Sequence, residues 1–156
     1  MARRKARELA FRALFQAERS GTSIREVWPQ VLADQAEASR EEGDEADAYG
    51  EVLDAGGLGF ASQLVNAWAD NSERIDAALV ASIEGWTFNQ MNQTDLNILR
   101  LAVTELLTDH DVPPEVTIEM AVRSARKFGG EESGKFVNGV LARVYRGEAF
   151  REARGA

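Results

Sequence analysis

The strongest constraint on the fold is the spacing of the apolar residues, which repeats with the period of an α-helix along most of the chain. The clearest example is the segment TDLNILRLAVTELLTDH at residues 94–110. Its apolar residues recur at the spacing of one helix face. They are Leu99, Ala102, Val103, Leu106 and Leu107. No segment shows the sustained alternation of apolar and polar residues that is typical of a strand. The sequence therefore predicts an all-α fold.

About seven helices account for the periodic segments. Pro29 lies inside the second of them, where a proline predicts a kink or a later start of the helix. Besides 94–110, we expect helices within residues 3–19, 23–33, 58–70, 71–86, 117–130 and 131–146. Together they predict one compact bundle, because each apolar face needs another face on which to pack.

Two segments lie outside this helical pattern. Residues 36–57 lose the apolar period and are rich in acids, so we interpret them as an acidic, mobile insertion with a short helix near residues 49–53. The sequence predicts a flexible tail at residues 147–156. The chain of 156 residues otherwise predicts a single domain, which is long enough to bury most of its apolar surface.

The composition excludes several kinds of site. The chain has no cysteine, and therefore no disulfide, thiolate metal site or thiol nucleophile. No apolar run reaches the length of a membrane-spanning helix, and no apolar stretch follows the basic start to form a secretory signal. We expect a cytoplasmic protein that holds no metal and no other cofactor.

The net charge of -8 is concentrated in one segment. Residues 37–54 hold eight acids and one base, whereas the rest of the chain has 18 acids and 17 bases. Local charge decides what a surface attracts, because physiological salt limits the reach of a charge to roughly 8 Å. An anionic partner is therefore compatible with this composition.

The first helix combines basic and aromatic residues. Five of the eleven residues from Ala2 to Arg12 are basic, and only Glu8 is acidic. Phe11 and Phe15 fall outside the alanine-rich stripe that faces the core. Arginine beside an aromatic ring can bind single-stranded RNA through phosphate pairing and base stacking. The pattern alone leaves a second interpretation open, in which other helices cover both rings and the arginines only solvate the end of the helix.

A second cation–aromatic pair, Lys135 and Phe136, lies in the segment GGEESGKFVNGVL at residues 129–141. The two glycines end one helix, and the acids after them suit the first turn of the next. No catalytic motif accompanies these features. His110 is the only histidine, and its neighbouring aspartates do not share its helix face, so we interpret it as a surface residue.

Four segments resemble the NusB family of bacterial transcription antitermination factors: ARRKARELAFRALFQAE, NILRLAVTELL, DVPPEVTIEMAVRSARKFG and GKFVNGVL. The resemblance covers residues 2–19 and about 71–145. It implies an all-helical fold in two halves of three to four helices each. It also implies a non-enzymatic role, in which the protein binds the boxA element of nascent RNA together with NusE, a ribosomal small-subunit protein.

The resemblance further implies an RNA-binding site. An arginine-rich motif, an aromatic residue later in the first helix and a second group near residue 135 make the RNA contacts of the family. They correspond here to Arg3, Arg4, Lys5, Arg7, Phe15, Glu132, Ser133, Lys135 and Phe136. Because this set contains both cation–aromatic groups, the resemblance favours the RNA-binding interpretation of the first helix.

The resemblance also implies protein partners, namely NusE and the RNA polymerase elongation complex. Thr104 and Glu105 are predicted to bind NusE, and Thr104 stands where the family often has tyrosine. Two further departures are Glu132, which stands where aspartate is usual, and the acidic segment 36–57, which is longer than in most members. The family includes monomers and dimers, so a homodimer stays open.

The function predicted from these observations is RNA-binding antitermination that supports read-through of ribosomal RNA operons. Two alternatives lack antitermination activity. One is an RNA-binding relative of the NusB-like N-terminal domain of ribosomal RNA cytosine methyltransferases. The other is a helical protein-interaction module without RNA affinity. Salt-dependent binding of boxA-like RNA separates the predicted function from the second alternative.

Overall fold

A computed structural model describes residues 2–41, 52–83, 85 and 87–155 of the chain. Within these residues the chain forms seven α-helices, one short 3-10 helix at Phe88–Gln90 and no strand, which confirms the all-α prediction. The helices are α1 (Ala2–Ser20), α2 (Ile24–Glu41), α3 (Ala55–Ser82), α4 (Gln93–Thr108), α5 (Pro114–Gly129), α6 (Glu131–Tyr145) and α7 (Glu148–Ala153).

The chain divides into two compact units, Met1–Ala69 and Asp70–Ala156. Helix α3 runs from the first unit into the second, and its backbone leaves helical geometry at Asn71, where φ is −124° and ψ is 18°. This break corresponds to the boundary predicted between the helices at 58–70 and 71–86.

The first unit buries the alanine-rich stripe of α1. Helix α1 packs against α2, and small side chains such as alanine add little bulk between packed helices. Trp28 of α2 is buried, and its Nε1 donates a hydrogen bond to Oγ of Ser62 in α3 at 3.2 Å. The buried residues of the stripe are Ala6, Ala10, Ala13, Leu14 and Ala17.

The helices around the predicted insertion are longer than the sequence suggested. Helix α2 begins at Ile24, continues through Pro29 and ends at Glu41, so the later start predicted from Pro29 is wrong. Residues 36–41 are helical, although their alanines, glutamates and arginine form no apolar face, because these residue types have high helix propensity. Residues 42–51, which hold most of the predicted insertion and the start of the short helix near 49–53, lie outside the described residues.

The end of the predicted insertion is an ordered start of α3. Asp54 precedes the helix, and its Oδ1 accepts a hydrogen bond from the backbone N–H of Gly57 at 2.7 Å, the geometry of an N-cap. Leu53 is buried, and its backbone N–H donates to Oε1 of Gln35 at 3.1 Å. Leu53 therefore packs in the core, and Ala55 begins α3 within the range that the sequence analysis assigned to the insertion.

The second unit is built on α4. All five apolar residues predicted for its inner face are buried, and most of its other side chains are buried as well. Helices α5, α6 and α7 each pack against α4, and α5 packs closely against α6. Helix α4 is therefore the central helix of the second unit, and α6 packs against it with its other face exposed.

Helix α7 lies in the segment that the sequence analysis described as a flexible tail. The ring of Phe150 lies 5.0 Å from the ring of Tyr145, and Arg154 donates hydrogen bonds to the backbone oxygens of Leu106 at 3.3 Å and Asp109 at 3.2 Å. Residues Glu148–Ala153 of the predicted flexible tail therefore form a helix with contacts to the second unit. A helix of six residues is too short to show an apolar period of its own.

Candidate nucleic-acid interface

The predicted cationic residues lie together on the first two turns of α1. Arg3 and Arg4 are exposed, whereas Lys5 and Arg7 are partly exposed. At 1.5 Å of rise per residue, these four side chains start within roughly 6 Å along the helix axis. The alanine stripe faces the core of the first unit. Arg4 and Lys5 project away from this stripe, whereas Arg3 and Arg7 lie on its side of the helix, next to α3.

An aromatic residue that the sequence analysis did not select, Phe60 of α3, lies beside these cations. The Cζ atom of Arg3 is 4.9 Å from the centre of the Phe60 ring, and the Cζ atom of Arg7 is 5.2 Å from it. Both distances are typical of cation–π contacts. The i,i+4 spacing of the two arginines indicates that they share a helix face, but nothing in the sequence of α1 identifies a ring on another helix.

The two phenylalanines of α1 have different environments. Phe11 is only 8% exposed and belongs to the core, so the interpretation of this ring as part of a wet face was wrong. Phe15 is partly exposed, its ring lies 6.0 Å from that of Phe11, and the Cζ atom of Arg19 lies 5.8 Å from its centre. The structure therefore leaves Phe15 as the aromatic residue of α1 that a ligand can reach.

The second predicted group lies on the first two turns of α6. Glu132 and Lys135 are exposed, and Nζ of Lys135 lies 3.6 Å from Oε1 of Glu132. Phe136 is partly exposed. An exposed pair of this kind is weak, which lets the lysine exchange its carboxylate for another anion.

Ser133 differs from its neighbours because it is buried. A β-carbon added to Gly129 would overlap the side chain of Ser133, so the glycine permits the serine to pack against the end of α5. Gly130, with a φ of 91°, then makes the sharp turn into α6 that an L-residue would strain to adopt. This packed turn fixes where α6 begins and so where Glu132 and Lys135 project.

An open groove of about 760 Å³ runs beside Lys135, between α5 and α6. Its apolar lining includes Ile118, Val122 and Ala142, and Arg126 lines it together with Lys135. Lys135 of α6 and Arg126 of α5 therefore stand at the edge of a concave surface of the second unit.

The residues predicted to contact NusE are inside the second unit. Thr104 is fully buried, and its Oγ1 donates to the backbone oxygen of Arg100 at 2.7 Å. Glu105 is 2% exposed, and its Oε1 accepts a hydrogen bond from Oγ1 of Thr117 at 3.2 Å. The structure gives neither side chain a surface on which to contact a partner, so the site that we describe contains neither residue.

The structure thus brings the predicted RNA contacts together as two groups, one in each unit. The α1 group contains the four cations and Phe15, and Phe60 joins it. The α6 group contains Glu132, Lys135 and Phe136. In the ranges that the structure covers, no cluster of three or more carboxylates and imidazoles is arranged to hold a metal ion. The helices in those ranges include none long and apolar enough to cross a membrane.

Comparisons with known proteins point to one family. The sequence model of the NusB family matches residues 4–146. The transcription antitermination protein NusB of Thermus thermophilus is 45% identical over 152 residues, which are 97% of this chain and 95% of that protein.

Solved structures agree in fold. T. maritima NusB superposes with a TM-score of 0.77 at 32% identity, over 99% of this chain and 97% of that one. A structure of the antitermination factors NusB and NusE in complex with double-stranded RNA gives a TM-score of 0.73, over 93% of this chain and 96% of that one. At 24% identity, the second comparison shows the fold alone.

Proposed function

The chain belongs to the NusB family, and from that premise we propose that it is an RNA-binding transcription antitermination factor. It binds boxA-type single-stranded RNA together with NusE. It presents this RNA to the RNA polymerase elongation complex and so supports read-through of ribosomal RNA operons. The name of the relative from Thermus thermophilus, which aligns over nearly the whole of both chains, supports this assignment.

The observation that carries the proposal is the cation–aromatic surface of α1. Exposed Arg3 and Arg4 can each pair with a phosphate through two parallel N–H donors, which is the geometry that a guanidinium offers and an ammonium does not. The partly exposed ring of Phe15 offers a face on which an unpaired base can stack. The two kinds of contact together suit a single strand, whose bases are accessible, better than a duplex.

The α6 group supplies the second set of contacts in this proposal. Lys135 leaves Glu132 to pair with a phosphate, and Phe136 stacks on a base. Ser133 acts through its packing against Gly129, which sets the start of the helix. Glu132 acts as a competitor, because a phosphate must replace its carboxylate to pair with Lys135. The proposed RNA-binding residues are Arg3, Arg4, Lys5, Arg7, Phe15, Glu132, Ser133, Lys135 and Phe136, of which Ser133 is buried and acts through its packing alone.

We propose that the protein binds and presents RNA without catalysing a reaction, and that it acts in the cytoplasm, where bacterial transcription takes place. The name of the relative describes antitermination and no chemical step. The proposed site needs only cations and aromatic rings to hold RNA, so no bond has to be made or broken there.

The test is a titration of the full chain with a labelled boxA-type RNA, with and without NusE, over a series of salt concentrations. We expect the logarithm of the affinity to fall linearly with the logarithm of the salt concentration, because the lysines and arginines that pair with phosphates release counterions from the RNA. We expect NusE to raise it. A scrambled RNA of equal length is the control, and the solution mass measured on the same samples gives the oligomeric state.

Binding that does not depend on salt, or that does not distinguish boxA from scrambled RNA, would contradict the proposal. If the protein were instead a helical protein-interaction module, it would bind NusE and show no affinity for RNA. The same titration therefore decides between the two functions.

A further inference from the structure

We propose that Phe60 is a positioning residue of the RNA-binding surface, because its ring holds the guanidinium groups of Arg3 and Arg7 where they can receive phosphates. This inference rests on the proposed function and adds to it a residue from a different helix. Phe60 belongs to α3, whereas both arginines belong to α1.

The geometry places one ring against two cations. The Cζ atoms of Arg3 and Arg7 lie 4.9 Å and 5.2 Å from the ring centre, and the arginines are one helical turn apart. Phe60 is itself partly exposed, so the contact forms at the surface of the first unit and not in its core. Arg4 is exposed on the same turn, and within the described part of the chain it makes no cation–π contact, which makes it the matched control.

Stacking on a ring and pairing with a phosphate use different parts of a guanidinium. The ring contacts the flat face, whereas the five N–H donors point outward in the plane of the group. Phe60 therefore does not compete with a phosphate for donors. Arginine side chains have many rotamers, and ordering them during binding lowers the affinity, so a ring that orders them beforehand raises it.

The first experiment measures how tightly a labelled boxA-type RNA binds to the full chain, over a salt series, with Phe60 replaced. We expect F60L to weaken binding by about tenfold, the scale of ordering two long side chains. The slope against salt should equal that of the wild type, because every cation is retained. F60Y, which keeps the ring, should restore the affinity.

The second experiment separates positioning from a direct contact between Phe60 and a base. In an R3A/R7A background, F60L should cause no further loss, whereas in an R4A background it should cause the full tenfold loss. If F60L costs the same factor in both backgrounds, or costs nothing in the wild type, the inference is overturned.

A third comparison does not depend on replacing Phe60. R3K/R7K keeps both charges but removes the planar groups that stack, so it should weaken binding by about tenfold, while R4K should change it less. Equal losses per residue in R3K/R7K and R4K would contradict the inference even if F60L failed to fold. Loss of salt-dependent RNA binding by the wild type would instead overturn the proposed function, and the inference with it.

Discussion

The two phenylalanines of α1 offer a matched test of what the exposed surface of this helix does. They are the same residue type, one turn apart, and their ring centres lie 6.0 Å from each other. Phe11 is buried and Phe15 is partly exposed. We expect F11A to lower the stability of the protein and leave its RNA affinity intact, whereas F15A should lower the RNA affinity with a smaller effect on stability.

The magnitudes follow from burial. Truncating a buried phenylalanine to alanine costs about 3–5 kcal/mol of unfolding free energy, which for a chain of this size lowers Tm by about 6–20 °C. Because Phe15 is partly exposed, its truncation removes less buried surface, and we expect a loss of about 1–2 kcal/mol. Removing a ring that stacks on a base costs about 1–3 kcal/mol of binding free energy, which is about a 5- to 150-fold loss of affinity.

Both quantities can be measured on the same samples, with calorimetry or urea unfolding for stability and a titration with labelled boxA-type RNA for affinity. The titration is run well below the Tm of the weaker variant, so that each protein is folded. If F15A destabilises the protein as much as F11A does and its folded fraction binds RNA normally, then Phe15 is a core residue. The RNA-binding surface of α1 would then consist of cations alone.

Four further perturbations test other parts of the structure. R7E should weaken RNA binding strongly and reduce the salt slope by about one, with a smaller loss of Tm than F11A because Arg7 is partly exposed, and an unchanged affinity would remove this turn of α1 from the site. F136A should lower the RNA affinity by about 1–3 kcal/mol, which the same titration measures against a Tm that stays close to the wild type. L53A should lower the unfolding free energy measured in urea by about 2–5 kcal/mol, because Leu53 is buried beside the start of α3. A neutral result would indicate that Leu53 is part of the acidic insertion. T117V removes the hydroxyl that donates to the buried carboxylate of Glu105 and should cost about 1.5–3 kcal/mol, which thermal unfolding detects.

The helices that the sequence predicted correctly are those whose apolar face extends over several turns. Helix α4 is the clearest, since its five predicted inner residues are all buried. The sequence analysis missed two helical segments, the end of α2 and helix α7, for the same reason. An apolar period gives no signal where a helix has no long apolar face. The last two turns of α2 are rich in alanine and charge, and α7 has only six residues. Helix propensity and N-caps such as Asp54 decide such segments, and these signals are weaker than an apolar stripe.

The candidate site shows where local pattern reaches its limit. The exposure of Arg4 and Lys135 follows from their own helices, because a residue opposite an apolar stripe faces outward. The period of one helix cannot tell Phe11 from Phe15, because what covers a ring is a residue from elsewhere in the chain. The burial of Thr104 and Glu105 could not be predicted for the same reason, since both are polar residues on a helix that other helices cover.

The net charge of the chain is negative, like the charge of the proposed RNA ligand. It is nevertheless a poor guide to RNA binding, because it sums charges that lie too far apart to act on the same phosphate in physiological salt. Charges separated by more than roughly 8 Å interact weakly at physiological ionic strength. The four cations at the start of α1 begin within roughly 6 Å along the helix axis, and Arg3 and Arg7, which share a helix face, can attract the same phosphate. The acids of residues 37–54 account for most of the charge of -8, and they matter to that phosphate only where they come equally close. In the proposed site, the attraction of α1 for a phosphate therefore depends on the cations of its first two turns, and the charge of the whole chain acts mainly on the approach of the RNA from a distance.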